Sequence, residues 1–68
     1  MKIRVNGEYR EVRLNLNIYD LLIDLELSPD QSGIAVAVNR EVIPKSVWKR
    51  TVLHENSEVE IIRAVQGG

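Results

Sequence analysis

Few residues of this chain could carry out chemistry by themselves. His54 is the one histidine, it stands beside Glu55 in a predicted turn, and there is no cysteine. A metal site needs several His, Cys, Asp or Glu ligands within reach of one another, and a nucleophilic serine needs a nearby base. The serines have no histidine at such a spacing, and the acidic residues are scattered over different faces and turns. We therefore expect no catalytic residue, no metal ligand and no bound cofactor in this chain.

The final stretch, residues 64–68 (AVQGG), offers chemistry of another kind. Gly67 and Gly68 have no Cβ and lose much backbone entropy when they are fixed, so they add nothing to a core. Two residues without side chains would, however, fit into a narrow channel of a partner enzyme. That enzyme could activate the α-carboxylate of Gly68 as an acyl-adenylate with ATP and then exchange the adenylate for a nucleophile. The alternative is a frayed terminus without a role.

Composition limits the class of protein. The 68 residues are 44% hydrophobic and 28% charged, which is typical of one small folded domain with a single modest core. The net charge is −1 with both signs interleaved, so we expect no binding to nucleic acid or to anionic membranes. No apolar run approaches the roughly 20 residues of a membrane helix, and no signal peptide is visible. Together with the lack of cysteine, this favours a cytoplasmic protein.

The chain begins with a predicted hairpin. Residues 2–5 alternate between polar and apolar side chains, as a half-buried strand does, and Asn6-Gly7 is a strong signal for a tight turn. Residues 8–13 would form the returning strand. A strict two-residue loop places Val5 opposite Glu8, an unfavourable match that leaves a longer loop or a bulge open.

A short helix is predicted next. Asn17 is a good N-cap, Asp20 can answer it as in a capping box, and Leu16 precedes the cap as in a hydrophobic staple. Pro29 should end the helix at about Ser28, because the residue before a proline avoids the α region. One apolar stripe runs along the helix at the spacing i, i+3, i+4 and i+7, formed by Ile18, Leu21, Leu22 and Leu25.

Three further strands are predicted beyond the helix. Residues 34–39 are nearly all apolar, which favours a central place in a sheet. Residues 41–43 form a short strand, and residues 44–48 a loop with a helical turn in which Trp48 should face the core. Residues 58–65 form the last strand. Because the single helix can cover only one side of the sheet, the fold class is α+β, a mixed sheet packed on one face against one helix.

The other face of that sheet is expected to stay uncovered. Small or apolar side chains there would form a patch suited to partner docking, the alternative being that they are inner-sheet residues with little exposure. The residues predicted for this patch are Ala35, Ala37, Ile62 and Ala64.

Several stretches along the whole chain carry a resemblance to a known family. They are Asn6-Gly7, Leu21-Leu22, residues 37–44 (AVNREVIP), Ser46, Trp48 and residues 59–68 (VEIIRAVQGG). In these stretches and in its layout the chain resembles the ubiquitin-like β-grasp fold, and within it the ThiS family of sulfur carriers. The ending AVQGG is the most specific part of the resemblance.

The resemblance implies a carrier rather than an enzyme. It implies a β-grasp domain at residues 1–65 and a flexible tail at residues 66–68, with Gln66, Gly67 and Gly68 inserted into partner active sites. A ThiF-like adenylyltransferase, which uses ATP, would adenylate Gly68. A sulfur donor fed by a cysteine desulfurase would then form a thiocarboxylate, and a ThiG-like thiazole synthase would take the sulfur for thiazole formation in thiamin biosynthesis.

Three alternatives stay open at this point. A molybdopterin-type sulfur carrier shares the fold and the two terminal glycines. A ubiquitin-like modifier would be conjugated to lysines through Gly68. A plain interaction module would bind its partner equally well without the last two residues.

Overall fold

A computed structural model describes residues 1–64; the predicted tail, Gln66, Gly67 and Gly68, lies outside the described residues. Five strands form one mixed sheet in the order β2-β1-β5-β3-β4, in which β1 and β5 run parallel and the other neighbours antiparallel. No helix in this part of the chain has the length and apolar character needed to cross a membrane. The elements are β1 (Lys2–Val5), β2 (Glu8–Glu11), α1 (Ile18–Asp24), β3 (Ile34–Val38), β4 (Glu41–Val42), a 3₁₀ helix (Lys45–Arg50) and β5 (Glu58–Arg63).

The first hairpin has the strict two-residue loop. Asn6 (φ 50°) and Gly7 (φ 86°) both take positive φ, as a type I′ turn requires, and Val5 lies opposite Glu8. The longer loop or bulge that the sequence left open is therefore wrong. The mismatch costs little because β2 is an edge strand, where the side chains of Glu8 and Arg10 reach water.

The N-cap prediction for α1 is confirmed. The side chain of Asn17 accepts a hydrogen bond from the backbone amide of Asp20 at 2.7 Å, and its Nδ2 donates to the carbonyl of Lys49 at 3.1 Å. The expected return bond from the Asp20 carboxylate is not formed in residues 1–64. Instead, that carboxylate pairs with Arg13 at 3.6 Å.

The helix ends earlier than predicted, at Asp24 rather than near Ser28. Glu26 has φ 62°, and the amide of Leu27 donates to the carbonyl of Leu22 at 2.9 Å. This is a left-handed C-terminal cap of the Schellman type, which usually places glycine at the positive-φ position. Because a non-glycine residue occupies that position, the stop could not be located from the sequence.

The core lies between α1 and one face of the sheet. Trp48 is 2% exposed, and its Nε1 donates to the carbonyl of Ile43 at 2.9 Å, which satisfies the only polar atom of the ring. The prediction that Trp48 faces the core is confirmed. The buried apolar residues are Ile3, Val5, Leu16, Ile18, Leu21, Leu22, Val36, Trp48, Leu53 and Val59.

The middle strand of the five is β5, and the apolar β3, for which the sequence favoured a central place, is the inner strand beside it. Strand β3 does have a neighbour on each side, β5 and β4, which accounts for its composition. Strand β5 alternates buried Val59 with the exposed, charged Glu60, because α1 covers only one of its two faces. A central strand in a sheet covered on one side needs alternation rather than a continuous apolar run.

We predict that Asn17→Ala lowers the free energy of unfolding by about 1–2 kcal/mol, because the first turn of α1 loses its cap. Asn17→Asp keeps the acceptor for the Asp20 amide and loses only the donor to Lys49, so it should cost less than the alanine variant. Urea unfolding of the three proteins measures the order. Equal losses for both variants would contradict the cap assignment.

Candidate functional site

The structure describes the body of the domain up to Ala64, so it shows where the predicted tail begins and not the tail itself. The predicted modification site, Gly68, and the predicted insertion residues, Gln66 and Gly67, lie outside the described residues. We call Arg63 and Ala64 the tail root. The site that can be built from the structure consists of this root and the surfaces around it.

The tail root is attached to β3 on one side. The backbone amide of Ala64 donates to the carbonyl of Gly33 at 2.7 Å, one position beyond the pair formed by Ile34 and Arg63. Gly33 has φ +93°, a conformation that residues with a Cβ rarely adopt. The glycine thus lets the loop before β3 turn so that its carbonyl meets the end of β5.

The loop that carries Gly33 is attached in turn to α1. The hydroxyl of Tyr19 on α1 donates to the carboxylate of Asp30 at 2.9 Å. This hydrogen bond, with smaller contributions from desolvation and from the charge of Asp30, raises the pKa of the exposed Tyr19 phenol above its usual range. The hydrogen bond from the Tyr19 hydroxyl links α1 to the loop next to the tail root.

The uncovered face of the sheet, which we call the open face, has an apolar half on β3, β4 and β5. Ala35 lies opposite Ile62, and Ile62 is 62% exposed. Ala37 lies opposite Val42, which is 71% exposed and was not identified from the sequence. It could have been found from the pairing of two adjacent strands, since residues directly opposite in antiparallel strands share a face.

These positions correct the view that the predicted patch consists of inner-sheet residues with little exposure. Ile62, Ala35 and Ala64 are exposed, and Ala37 is half-buried. Glu60 interrupts the patch, because it lies on the same face opposite Ala37. The docking role of Ala35, Ala37, Ile62 and Ala64 stays a prediction.

The other half of the open face is polar and centres on Tyr9. The Nζ of Lys2 lies 4.9 Å from the centre of the Tyr9 ring, and the guanidinium carbon of Arg4 lies 5.6 Å from it. Arg4 also pairs with Glu58 at 3.3 Å. This group was missed because its members come from both ends of the sequence and meet only when β1 pairs with β2 and β5.

The side chains that could take part in catalysis do not lie together in one site within residues 1–64. His54 is exposed, and its backbone amide rather than its ring is held, by the hydroxyl of Ser57 at 2.9 Å. Within residues 1–64 no group of three or more His, Asp or Glu side chains is placed to hold a metal ion. The described part of the chain thus presents the open face and the tail root, and it brings together no metal-binding group.

Comparison with protein families and with curated proteins gives one consistent result. The ThiS family model matches residues 3–68. The sulfur carrier protein ThiS of Escherichia coli is 22% identical over 68 residues and is covered over its full length. A thiazole synthase of Paramagnetospirillum magneticum is 32% identical over 68 residues, and one of Magnetococcus marinus is 29% identical. The chain spans about a fifth of the length of those two thiazole synthases.

Comparison with solved structures agrees on the fold. The crystal structure of a thiamine biosynthesis protein (ThiS) from Geobacter metallireducens superposes with a TM-score of 0.83. The two sequences are 27% identical, and the match covers all of both chains. The fold is therefore the ubiquitin-like β-grasp that the sequence resemblance implied.

We predict that Gly33→Ala destabilises the domain by about 1–2 kcal/mol, because a Cβ is disfavoured at φ +93°. The space around the added Cβ is adequate, with the nearest atom, the carbonyl oxygen of Ala64, at 3.6 Å, so the cost comes from the backbone. Amide exchange at Ala64 should accelerate. Ser32→Ala, one residue earlier on the exposed loop, is the matched control and should leave stability and exchange unchanged. Equal behaviour of the two variants would overturn the assignment.

Proposed function

Since the chain belongs to the ThiS family, we propose that it is a sulfur carrier protein of thiamin biosynthesis, modified and used by partner enzymes in the cytoplasm. The observation that carries the proposal is the family match over residues 3–68, which includes Gly67 and Gly68. The structural likeness to the Geobacter metallireducens protein over the whole chain supports it.

The proposed chemistry takes place on the α-carboxylate of Gly68. A ThiF-like adenylyltransferase binds ATP, and a carboxylate oxygen attacks the α-phosphorus, so that pyrophosphate leaves and an acyl-adenylate forms. A sulfide equivalent, supplied by a donor that a cysteine desulfurase feeds, attacks the carbonyl carbon and displaces AMP. The product is a thiocarboxylate. ATP is bound by the partner, so the carrier needs no nucleotide site.

The proposed acceptor of the sulfur is a ThiG-like thiazole synthase. The anionic sulfur of a thiocarboxylate is softer and less tightly hydrated than a carboxylate oxygen, which makes it a good nucleophile for building a thiazole ring. The similarity to thiazole synthases over all 68 residues supports this partner, because a segment like this chain is part of those longer proteins.

The body of the domain serves this chemistry by docking. The tail has only three residues, and two of them, Gly67 and Gly68, have no side chain, so it can enter an active site only if the folded body seats against the entrance. The open face next to the tail root is the surface that we propose for docking. Its apolar half is exposed except at the half-buried Ala37, and it is formed by Ala35, Ala37, Val42, Ile62 and Ala64.

The carrier function is tested by the mass of the tail. The chain is incubated with the adenylyltransferase, ATP and a sulfur source, and its C-terminal fragments are analysed by mass spectrometry. We expect one oxygen of Gly68 to be replaced by sulfur. Fragmentation is required because oxidation of Met1 changes the intact mass by nearly the same amount.

A chain that lacks Gly68 is the matched variant. It should fold like the full chain, because residues 1–64 contain the core, and it should take up no sulfur. Sulfur uptake by the shortened chain would contradict the proposal. An unmodified Gly68, with an activating enzyme shown to be competent, would contradict it as well, and lysine conjugates through Gly68 would indicate a modifier instead.

The docking surface is tested by two variants with the same charge change. Ile62→Lys alters the apolar half of the open face, and Leu14→Lys alters a residue of similar exposure, 72% against 62%, in the loop before α1. Burial of an Ile side chain at an interface contributes about 1.5–3 kcal/mol, so Ile62→Lys should weaken binding to the adenylyltransferase at least about tenfold. Leu14→Lys should bind like the original chain. Titration calorimetry measures both, and equal affinities would rule out this docking surface.

A further inference from the structure

The end of β5 has hydrogen-bond partners on one side only. In the antiparallel pairing with β3, alternate residues of β5 direct their backbone groups toward β3, and Ala64 is the last of these through its bond to Gly33. The residues between them direct their backbone groups toward β1. The amide of Asn6 thus donates to the carbonyl of Val59 at 2.9 Å. Arg63 belongs to this second set.

Strand β1 stops too early to pair with Arg63. It ends at Val5, and the chain then turns away at Asn6 and Gly7. The side chain of Asn6 takes over for one more position: its Oδ1 accepts from the amide of Ile61 at 2.8 Å, and its Nδ2 donates to the carbonyl of Ile61 at 3.4 Å. One step further, the amide and carbonyl of Arg63 are joined to no other residue among 1–64.

A cleft of about 300 Å³ adjoins this unpaired stretch of β5, and we call it the edge cleft. Charged, exposed side chains stand at its rim, namely Arg10 and Arg63 together with Glu8, so the rim carries a net positive charge. The cleft also has apolar surface, formed by Val5, Leu25, Leu27 and Ile61. Its apolar lining lies on the helix side of the sheet, and among the open-face residues named above only Tyr9 also lines it.

We propose that the adenylyltransferase that activates the tail adds an extended segment to the β1 side of β5, pairing with the backbone of Arg63. This inference rests on the proposed function for the identity of the partner. An apolar side chain of the segment fills the edge cleft, and an acidic side chain of the segment meets Arg10. Extended segments bind other sheet edges in this way, with backbone bonds giving affinity and side-chain pockets giving selectivity.

The segment would supply the hydrogen-bond partners that the β1 side of β5 lacks at Arg63 within the described residues. With Gly33 on one side of Ala64 and the partner on the other side of Arg63, the tail root is held as a strand from both edges. That arrangement sets the direction in which the following residues continue. The partner thus binds the domain at two places: at the open face, where it docks, and at the edge cleft, where it orients the tail.

Amide exchange of the isotope-labelled full chain, free and bound to the adenylyltransferase, tests the pairing at the atom concerned. In the free chain the Arg63 amide should exchange much faster than the Ala64 amide, which is bonded to Gly33 and serves as the internal control. In the complex the Arg63 amide should slow at least about tenfold. A fast Arg63 amide in a complex that loads sulfur onto Gly68 would overturn this inference and leave the carrier function intact.

Two other outcomes of the amide-exchange experiment also bear on the two hypotheses. Protection of Arg63 already in the free chain would overturn the inference, because the chain's own residues would then occupy the edge. Protection on binding without sulfur transfer would support the pairing and contradict the carrier function. The two hypotheses therefore fail separately.

A charge-reversal pair gives an independent readout. Arg10→Glu should weaken binding to the adenylyltransferase about tenfold, because the acidic side chain of the segment would face a like charge. Arg50→Glu is the matched control: Arg50 is exposed at the end of the 3₁₀ helix, which contacts the start of α1 through Asn17, whereas the edge cleft lies at the other end of α1. Equal affinities for the two variants would contradict an acidic contact at Arg10.

Discussion

The pairing of β5 between β1 and β3 is the constraint on which the rest of this small domain depends. Strand β5 comes last in the chain but lies in the middle of the sheet, parallel to β1 and antiparallel to β3. It therefore joins the N-terminal hairpin to the β3–β4 pair. Val59, which is fully buried, belongs to the core that α1 covers. Without this strand the two halves of the sheet would have no common edge.

This placement also determines the surroundings of the end of β5. A strand that leaves the centre of a sheet must run out between its two neighbours, and here the neighbours end at different points. Strand β3 and Gly33 accompany β5 as far as Ala64, while β1 ends at Val5 and the Asn6 side chain reaches only Ile61. The last described residues thus pass from a fully paired strand to a half-paired one. In the function that we propose, the C-terminus enters other proteins, and such a gradual release would serve that step.

One face of the sheet is buried and the other is exposed for a physical reason. Residues 1–64 contain one α-helix with one apolar stripe, so this helix can shield only one face of the sheet from water. The other face remains in contact with water. It carries alanines, the charged Glu60 and Tyr9, whose ring is contacted by Lys2 and Arg4. A surface that cannot be buried internally is available to partners, so the size of the domain itself favours a binding function over a private active site.

The sequence alone determined the features that depend on neighbours along the chain. The Asn6-Gly7 turn, the Asn17 cap and the apolar stripe of α1 are local, and they were predicted because propensity and periodicity act over a few residues. The β-grasp fold and the family followed from motifs spread over the whole chain. The Schellman end of α1 was missed although it is local, since Glu26 occupies a position where the usual signal is glycine.

Only the tertiary structure decided the features that require distant residues to meet. The central place of β5, the exposure of Val42 beside Ala37, the Tyr9 group and the Asn6 clamp on Ile61 all join residues that are apart in the sequence or on different strands. Register and strand order set these contacts, and a single sequence carries little signal for which strands pair when they are far apart in the chain. The same reason hid the edge cleft, because it exists only where β1 ends before β5 does.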